Sequence, residues 1–111
     1  MPRQKMYYKW DIPTSVVNIV KSHCADYERR SRIIFNPNAP DGLKESCHSL
    51  NDIIDKALHD VDAGIQKIIL SDVAMGRGYD SSMAAPFIAK NSYYARKRKL
   101  IHDIALGLKL I

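Results

Sequence analysis

The chain has 111 residues, of which 46% are hydrophobic and 26% are charged, and its formal net charge at pH 7 is +5. This length allows one domain, or a small domain with an arm, and the composition excludes a disordered chain. No apolar run approaches the roughly 20 residues of a membrane span, no secretory peptide precedes the helices, and two cysteines are too few for a disulfide framework, so a cytoplasmic protein is expected.

The positive charge is concentrated at the two ends of the chain, whereas the middle is acidic. A basic pole on an otherwise balanced protein favours nucleic-acid binding over scattered surface charge. The cations of the poles are Arg3, Lys5, Lys9, Lys90 and the run from Arg96 to Lys99, and the central acids are Asp52, Asp55, Asp60, Asp62 and Asp72.

The N-terminal arm combines its cations with the aromatic residues Tyr7, Tyr8 and Trp10. Such an arm can lie along nucleic acid, because bases stack on aromatic rings. We favour the simpler interpretation, in which these rings pack against the first helix or against a subunit partner.

The first helix is predicted to begin at Thr14 or Ser15, directly after Pro13, and to end near Ile34 or Phe35. It ends there because Pro37 disfavours helical backbone at the preceding residue. A loop and tether should follow from Asn36 to about Ser46. The apolar positions that recur at helical spacing are Val16, Val17, Ile19, Val20, Cys24, Tyr27 and Ile34.

Two further helices are predicted in the middle of the chain, from about Ser49 to Val61 and from about Ala63 to Met75. Asp62 is the expected N-cap of the second of these, and Gly76 the expected left-handed C-terminal residue. Their apolar stripes are Ile53, Ile54, Ala57, Leu58 and Val61 in one helix, and Ile65, Ile68, Ile69, Leu70 and Val73 in the other.

A short fourth helix is predicted around Met83–Ala85, started by Asp80 or Ser81 and ended by Pro86. The fifth helix should run from Asn91 or Ser92 to Leu108, and no convincing strand is found. The predicted fold is therefore all-α, a small helical domain with a C-terminal helix-turn-helix. Residues 1–45 form the arm, first helix and linker, and residues 46–111 the DNA-binding unit.

The fifth helix combines an apolar stripe with a basic first half, as a DNA recognition helix does. Leu100, Ile101, Ile104 and Leu108 form the stripe, which extends backwards to Tyr93 and to positions 96 and 97. The residues predicted to face bases are Asn91, Tyr94, Ala95 and Arg98, those predicted to position the DNA backbone are Lys90, Ser92, Lys97 and Lys99, and Arg96 bridges the core edge and a phosphate.

The segment Ile88–Ile101, followed by Ile104, Ala105 and Leu108, resembles the C-terminal helix-turn-helix of phage transcriptional regulators of the RinA and ArpU type. These regulators are similar in turn to region four of bacterial sigma factors. Ser92, Tyr93 and Tyr94 fall on the family's Thr and aromatic positions. Ala89 stands where the family has a capping Ser, so the cap can move to Asn91, and Pro86 replaces part of the usual second helix.

The resemblance covers about residues 50–108 and implies a phage or prophage regulator that binds double-stranded promoter DNA in a bacterial host. RNA polymerase is a further partner that this resemblance allows. Dimerisation through the first or second helix is also open. The runner-up hypothesis is a non-enzymatic helical adaptor that binds a protein, such as a phage packaging subunit or a factor that binds host polymerase.

Enzymatic and metal-dependent functions are disfavoured by the sequence. The pairs His23-Cys24 and Cys47-His48 have zinc-ligand chemistry, but neighbours on a helix point about 100° apart and cannot easily chelate one ion. His102 and Asp103 are neighbours as well, so they do not face each other as a catalytic pair. We therefore expect no catalytic residue, no metal and no cofactor.

Overall fold

The computed structural model describes residues 6–7 and 12–111. Two short strands, β1 (Met6–Tyr7) and β2 (Ile12–Pro13), pair antiparallel, with Met6 opposite Pro13 and Tyr7 opposite Ile12. The expectation of no strand is thus wrong at this one place. The aromatic and basic side chains of the arm lie outside the described part of the chain, so their role stays a prediction.

The N-terminal helical region is two helices, α1 (Thr14–Ala25) and α2 (Tyr27–Ile34), where one continuous helix was predicted. The break is at Asp26, whose backbone lies at φ −90° and ψ 0°. The buried Arg30 guanidinium donates to the carbonyl of His23 at 2.6 Å, and this bond ties the start of α2 to the end of α1. The break therefore rests on a tertiary polar contact that no periodicity shows.

Helix α3 (Asp41–Leu58) begins eight residues earlier than the predicted Ser49. Pro40 is its N-cap residue, and the Lys44 amide donates to the Pro40 carbonyl at 3.0 Å, which is the first helical bond. Asp41 in the first turn favours the helix because its carboxylate faces the positive end of the helix dipole. The predicted linker to Ser46 is therefore too long, and residue 45 lies inside a helix.

A 3₁₀ turn at Ala63–Ile65 leads directly into α4 (Gln66–Met75). Together they cover the range of the third predicted helix. Asp62 occupies the N-cap position of the 3₁₀ turn but makes no side-chain capping bond. Gly76 has a φ of 71°, so the left-handed C-terminal residue is confirmed.

The connector between α4 and the last helix contains no α-helix, so the predicted fourth helix is wrong. A 3₁₀ turn at Tyr79–Ser81 is followed by irregular turns. The Ser82 hydroxyl accepts from the Ala84 amide at 3.0 Å, and such local bonds compete with helix formation. The helix-turn-helix expected from the sequence is thus replaced, in its middle part, by a long turn-rich connector.

Helix α5 (Lys90–Gly107) completes an all-α domain, which confirms the predicted fold class. α1 packs on α4 and α5, α2 packs on α3, and α3 packs on α5. The side chains that meet at the centre with no exposed surface include Val20, Ile54, Ile69, Tyr93 and Ile104. Ile19, predicted on the inner stripe of the first helix, is instead 48% exposed.

The described residues form a flat body with principal extents of 43 × 41 × 20 Å. Among these residues, no helix combines the length and the apolar character that crossing a membrane requires. Residues from α1 share one apolar core with residues from α3, α4 and α5.

Candidate nucleic-acid interface

The N-terminal end of α5 is exposed and carries polar residues. Ala89 is its N-cap, with an extended backbone at φ −68° and ψ 150°, and no side chain caps the helix. The expected cap at Asn91 is wrong, because Asn91 lies inside the first turn. Lys90, Asn91 and Ser92 are all exposed. Their amides are the ones that a helix leaves without internal partners, so this end of α5 suits an anion.

The inward face of α5 follows the predicted apolar stripe. Tyr93, Leu100, Ile101 and Ile104 are fully or almost fully buried, and Leu108 packs against the core from its edge. The burial of these residues confirms the predicted orientation of the helix about its axis. Ala95, Arg96 and Arg98 are partly exposed.

Lys97 was predicted at the backward end of the apolar stripe and, as a contact to the DNA backbone, on a flank of the outer face. Its side chain is 5% exposed, and its ammonium donates to the carbonyl of Arg77 at 2.6 Å. Burial lowers the pKa of Lys97, and the nearby charge of Asp72 acts in the opposite direction. The predicted outward orientation is wrong, and the ammonium instead holds the chain just after α4.

Lys99 is engaged by two carboxylates. Its ammonium donates to Asp60 and to Asp103, both at 2.7 Å. These hydrogen bonds raise the pKa of Lys99, and the bond from Lys99 lowers the pKa of the exposed Asp60 carboxyl. A phosphate would have to compete with these acids for Lys99, which the run of cations in the sequence does not reveal.

Tyr94 contacts the connector with its hydroxyl. The Tyr79 amide donates to that hydroxyl at 3.1 Å, and the Tyr94 ring meets the Tyr93 ring edge-on at 5.1 Å between centroids. The side chain is only partly exposed. Its predicted position toward bases is replaced by a structural contact that aligns α5 with the connector.

A buried carboxylate that the sequence analysis did not single out fixes the connector to α4 and α5. The Asp72 side chain has no exposed surface, and both the Ser82 hydroxyl and the Tyr93 hydroxyl donate to its Oδ2, the latter at 2.8 Å. Burial and the bond to Asp72 raise the pKa of Tyr93. We call Asp72, Ser82 and Tyr93 the connector cluster. One sequence signal existed, since Asp72 lies three residues after Ile69, on the inward side of α4.

The Arg77 guanidinium partly faces this carboxylate. Its Nη1 lies 3.7 Å from Asp72 Oδ1, and the Arg77 side chain is 39% exposed. The buried Asp72 thus has the Arg77 and Lys97 cations nearby. This charge balance offsets part of the cost of taking a carboxylate out of water.

The His and Cys pairs are not arranged as metal ligands. Cys24 and Cys47 are buried free thiols, and burial raises the pKa of Cys24 to about 12. His23 Nε2 is 3.0 Å from the carbonyl of Leu50. Within the described part of the chain, no group of three His, Cys, Asp or Glu side chains could hold a metal ion.

The apolar surface outside the core includes a pocket and part of the connector. An open pocket of about 420 Å³ between α1, α2, α3 and α4 has Leu58, Leu70 and Ala74 among its lining residues. On the connector, Met83 and Phe87 are each 75% exposed. Both features are surfaces that the sequence analysis did not assign.

The chain matches no protein-family model, and no curated protein and no solved structure is significantly similar to it. The resemblance to RinA- and ArpU-type regulators therefore stays a prediction from residues 88–108.

Proposed function

We propose that the chain is a sequence-directed, double-stranded-DNA-binding transcriptional regulator of phage type, and that α5 is its recognition helix. One observation carries the proposal. The first turn of α5 is exposed, has no side-chain cap, and presents Lys90, Asn91 and Ser92 to solvent. Partly exposed Arg96 and Arg98 follow within two turns. A recognition helix contacts base edges with this end.

The exposed residues divide by chemistry into base-reading and backbone-positioning groups. Asn91 can bond adenine, and Arg98 can bond guanine, with two hydrogen bonds each. Lys90, Ser92 and the first-turn amides suit phosphates, and Arg96 suits a phosphate at the edge of the interface. Ala95 allows close approach of the helix to a base.

The structure revises the roles in this proposal for three of the predicted contacts. Lys97 and Tyr94 position α5, and we assign them no base or phosphate. Lys99 contacts phosphate only after its ion pairs with Asp60 and Asp103 exchange. The helix-turn-helix arrangement is part of the proposal in a modified form, with α4 as the supporting helix and the connector in place of the crossing helix.

The phage setting, promoter DNA and RNA polymerase as a partner rest on the sequence resemblance, and dimerisation is part of the same proposal. The exposed apolar residues Ile19 on α1 and Leu43 and Leu50 on α3 are the positions where a second copy would contact these helices.

A selection from random duplexes, followed by binding measurements over a salt series, tests the proposal. We expect one enriched sequence and an affinity that falls by about 0.9 log unit per neutralised phosphate for each log unit of salt. Lys90→Ala should reduce the salt slope by the share of about one phosphate contact. Asn91→Ala should relax the base preference at one position. Arg32→Ala, at an exposed cation on α2, is the matched control and should change neither. Absence of any enriched sequence would contradict the proposal.

One observation favours the adaptor as the second candidate. The pocket that includes Leu70, Ala74 and Met75 is open and largely apolar, as a site for a protein side chain is. An adaptor should retain its partner after nuclease treatment. Substitution of Leu70 by Glu should then release that partner, while Asn91→Ala should not.

A further inference from the structure

Two large apolar side chains directly before α5 are exposed to solvent. Met83 and Phe87 are each 75% exposed, although both could contribute hydrophobic free energy if buried. Contiguous exposed apolar surface marks contact sites, whereas single exposed apolar residues are common. Met83 and Phe87 lie four residues apart in the same connector.

The backbone that carries these side chains is held in place. The Phe87 amide donates to the carbonyl of Ala84 at 2.8 Å, and the Tyr79 hydroxyl lies 2.8 Å from the Ile88 carbonyl and 3.0 Å from the Ala85 carbonyl. Ser82, one residue before Met83, is bonded to buried Asp72. The exposure of Met83 and Phe87 is therefore a feature of a fixed loop.

The position of the loop determines what it can meet. Phe87 precedes Lys90 by three residues, so their Cα atoms lie within about 11 Å of each other, the span of three extended residues. A duplex that contacts Lys90 and Asn91 therefore passes close to the backbone of Phe87. The uncovered first-turn amides beside it favour a partner that carries negative charge next to its apolar surface.

We propose that Phe87, together with Met83, contacts thymine 5-methyl groups in the major groove of the DNA bound by α5. This inference rests on the proposed DNA-binding function. The thymine methyl is the apolar group that base edges present in the major groove, and it lies there beside the phosphates that the cations of α5 would bind. Phe87 and Met83 would thus select for thymine at positions next to those that Asn91 and Arg98 read.

Deoxyuridine substitution tests the inference, because deoxyuridine lacks only the methyl group of thymidine. Each thymine of the enriched duplex is replaced in turn, and affinity is measured for the wild type, Phe87→Ala and Met83→Ala. We expect the wild type to lose about fourfold in affinity at each contacted thymine. Phe87→Ala should bind the thymine and deoxyuridine duplexes equally at that position.

Phe35→Ala is the matched control, since Phe35 is 84% exposed at the end of α2. This variant should discriminate between the two duplexes as the wild type does. Circular dichroism of the three variants should be unchanged, because all three residues are exposed.

The outcomes separate the inference from the proposed function. An enriched sequence with steep salt dependence, but with no deoxyuridine effect or an equal effect in Phe87→Ala, overturns the inference alone. An enriched sequence without thymine overturns it as well. Absence of any enriched sequence overturns the proposed function and the inference together.

Discussion

Among the described residues, two buried polar clusters differ in charge and in what they join. The first, which we call the hinge cluster, centres on the cation of Arg30, which is 3% exposed and bonds Asn51, Asp26 and the carbonyl of His23. The connector cluster centres on the anion of Asp72, which accepts from Ser82 and Tyr93. The hinge cluster joins helices to helices, whereas the connector cluster joins a loop to two helices.

Both clusters hold parts of the chain that supply few side chains to the apolar core. α1 and α3 each supply several buried apolar residues, whereas α2 supplies only the partly buried Tyr27, so Arg30 and Asn51 are the buried contacts that fix α2 on its neighbours. The connector supplies Tyr79, Ala84 and Ile88. Its conformation, and with it the position of the first turn of α5, depends in addition on the bonds of Asp72 to Ser82 and Tyr93.

The largest effect is expected from Asp72→Ala. This change leaves the buried Ser82 and Tyr93 hydroxyls without their acceptor and Lys97 without its nearby countercharge. We expect a loss of about 3–5 kcal/mol in the free energy of unfolding, measured by urea titration. Asp52→Ala, which removes an exposed ion pair with Lys56, is the control and should cost less than about 1 kcal/mol. A loss at Asp72 no larger than in this control would contradict the assigned role.

Arg30→Ala should have the second largest effect. Asn51 and the His23 carbonyl would each lose a charged donor at 2.6 Å, so we expect a loss of about 2–3 kcal/mol in unfolding free energy. The neighbouring Arg29 pairs with the same Asp26 but has a side chain that is 60% exposed. Arg29→Ala should therefore cost less than about 1 kcal/mol. Equal losses would show that the hinge depends on Asp26 rather than on the buried contacts.

Alkaline pH should lower the free energy of unfolding, because several groups have a higher pKa in the folded chain than in the unfolded chain. Burial, with the hydrogen bond to Asp55 at 2.6 Å, raises the pKa of Tyr27 to about 12. The unfolded tyrosine ionises near pH 10, so the stability contributed by Tyr27 is complete below about pH 10 and is lost as the pH rises toward 12.

Tyr27→Phe should flatten the fall in unfolding free energy between pH 10 and 12, followed by urea titration at each pH. A fall should remain in this variant, because the pKa of Cys24 and of Tyr93 is also raised. Lys97 has the opposite sign: its lowered pKa means that raising the pH toward 10.5 relieves its burial cost. If Tyr27→Phe left the pH profile of the unfolding free energy unchanged, Tyr27 would not be a cause of the fall between pH 10 and 12.

The smallest effect is expected from Asp60→Asn, and it concerns the proposed DNA binding. Removal of this carboxylate frees one of the two ion pairs of Lys99, so affinity for duplex DNA should rise by about two- to fivefold at low salt. Asp62→Asn removes the same charge two residues away and is the control. An equal gain in both variants would indicate a general charge effect rather than release of Lys99.

The periodicity of apolar residues was sufficient to predict the α-helical class and the inward face of α5, and the backbone preference of glycine predicted the stop at Gly76. These features depend on local spacing and on backbone preferences, which are present in any short window of the chain. The break at Asp26 and the early start of α3 were not predictable in this way. The first depends on Arg30, which reaches the carbonyl of His23, and the second depends on a Pro-Asp start that also occurs in turns.

The four consecutive cations of α5 show most clearly what the amino-acid pattern leaves open. It correctly indicated a helix with one apolar face, because that follows from the 3.6-residue repeat alone. Only the packed chain decided that the Lys97 ammonium bonds the Arg77 carbonyl and that Lys99 is paired with Asp60, 39 residues away. The reason is physical: a charge is free or neutralised according to the groups that folding brings within a few ångströms of it, and those groups come from distant parts of the chain.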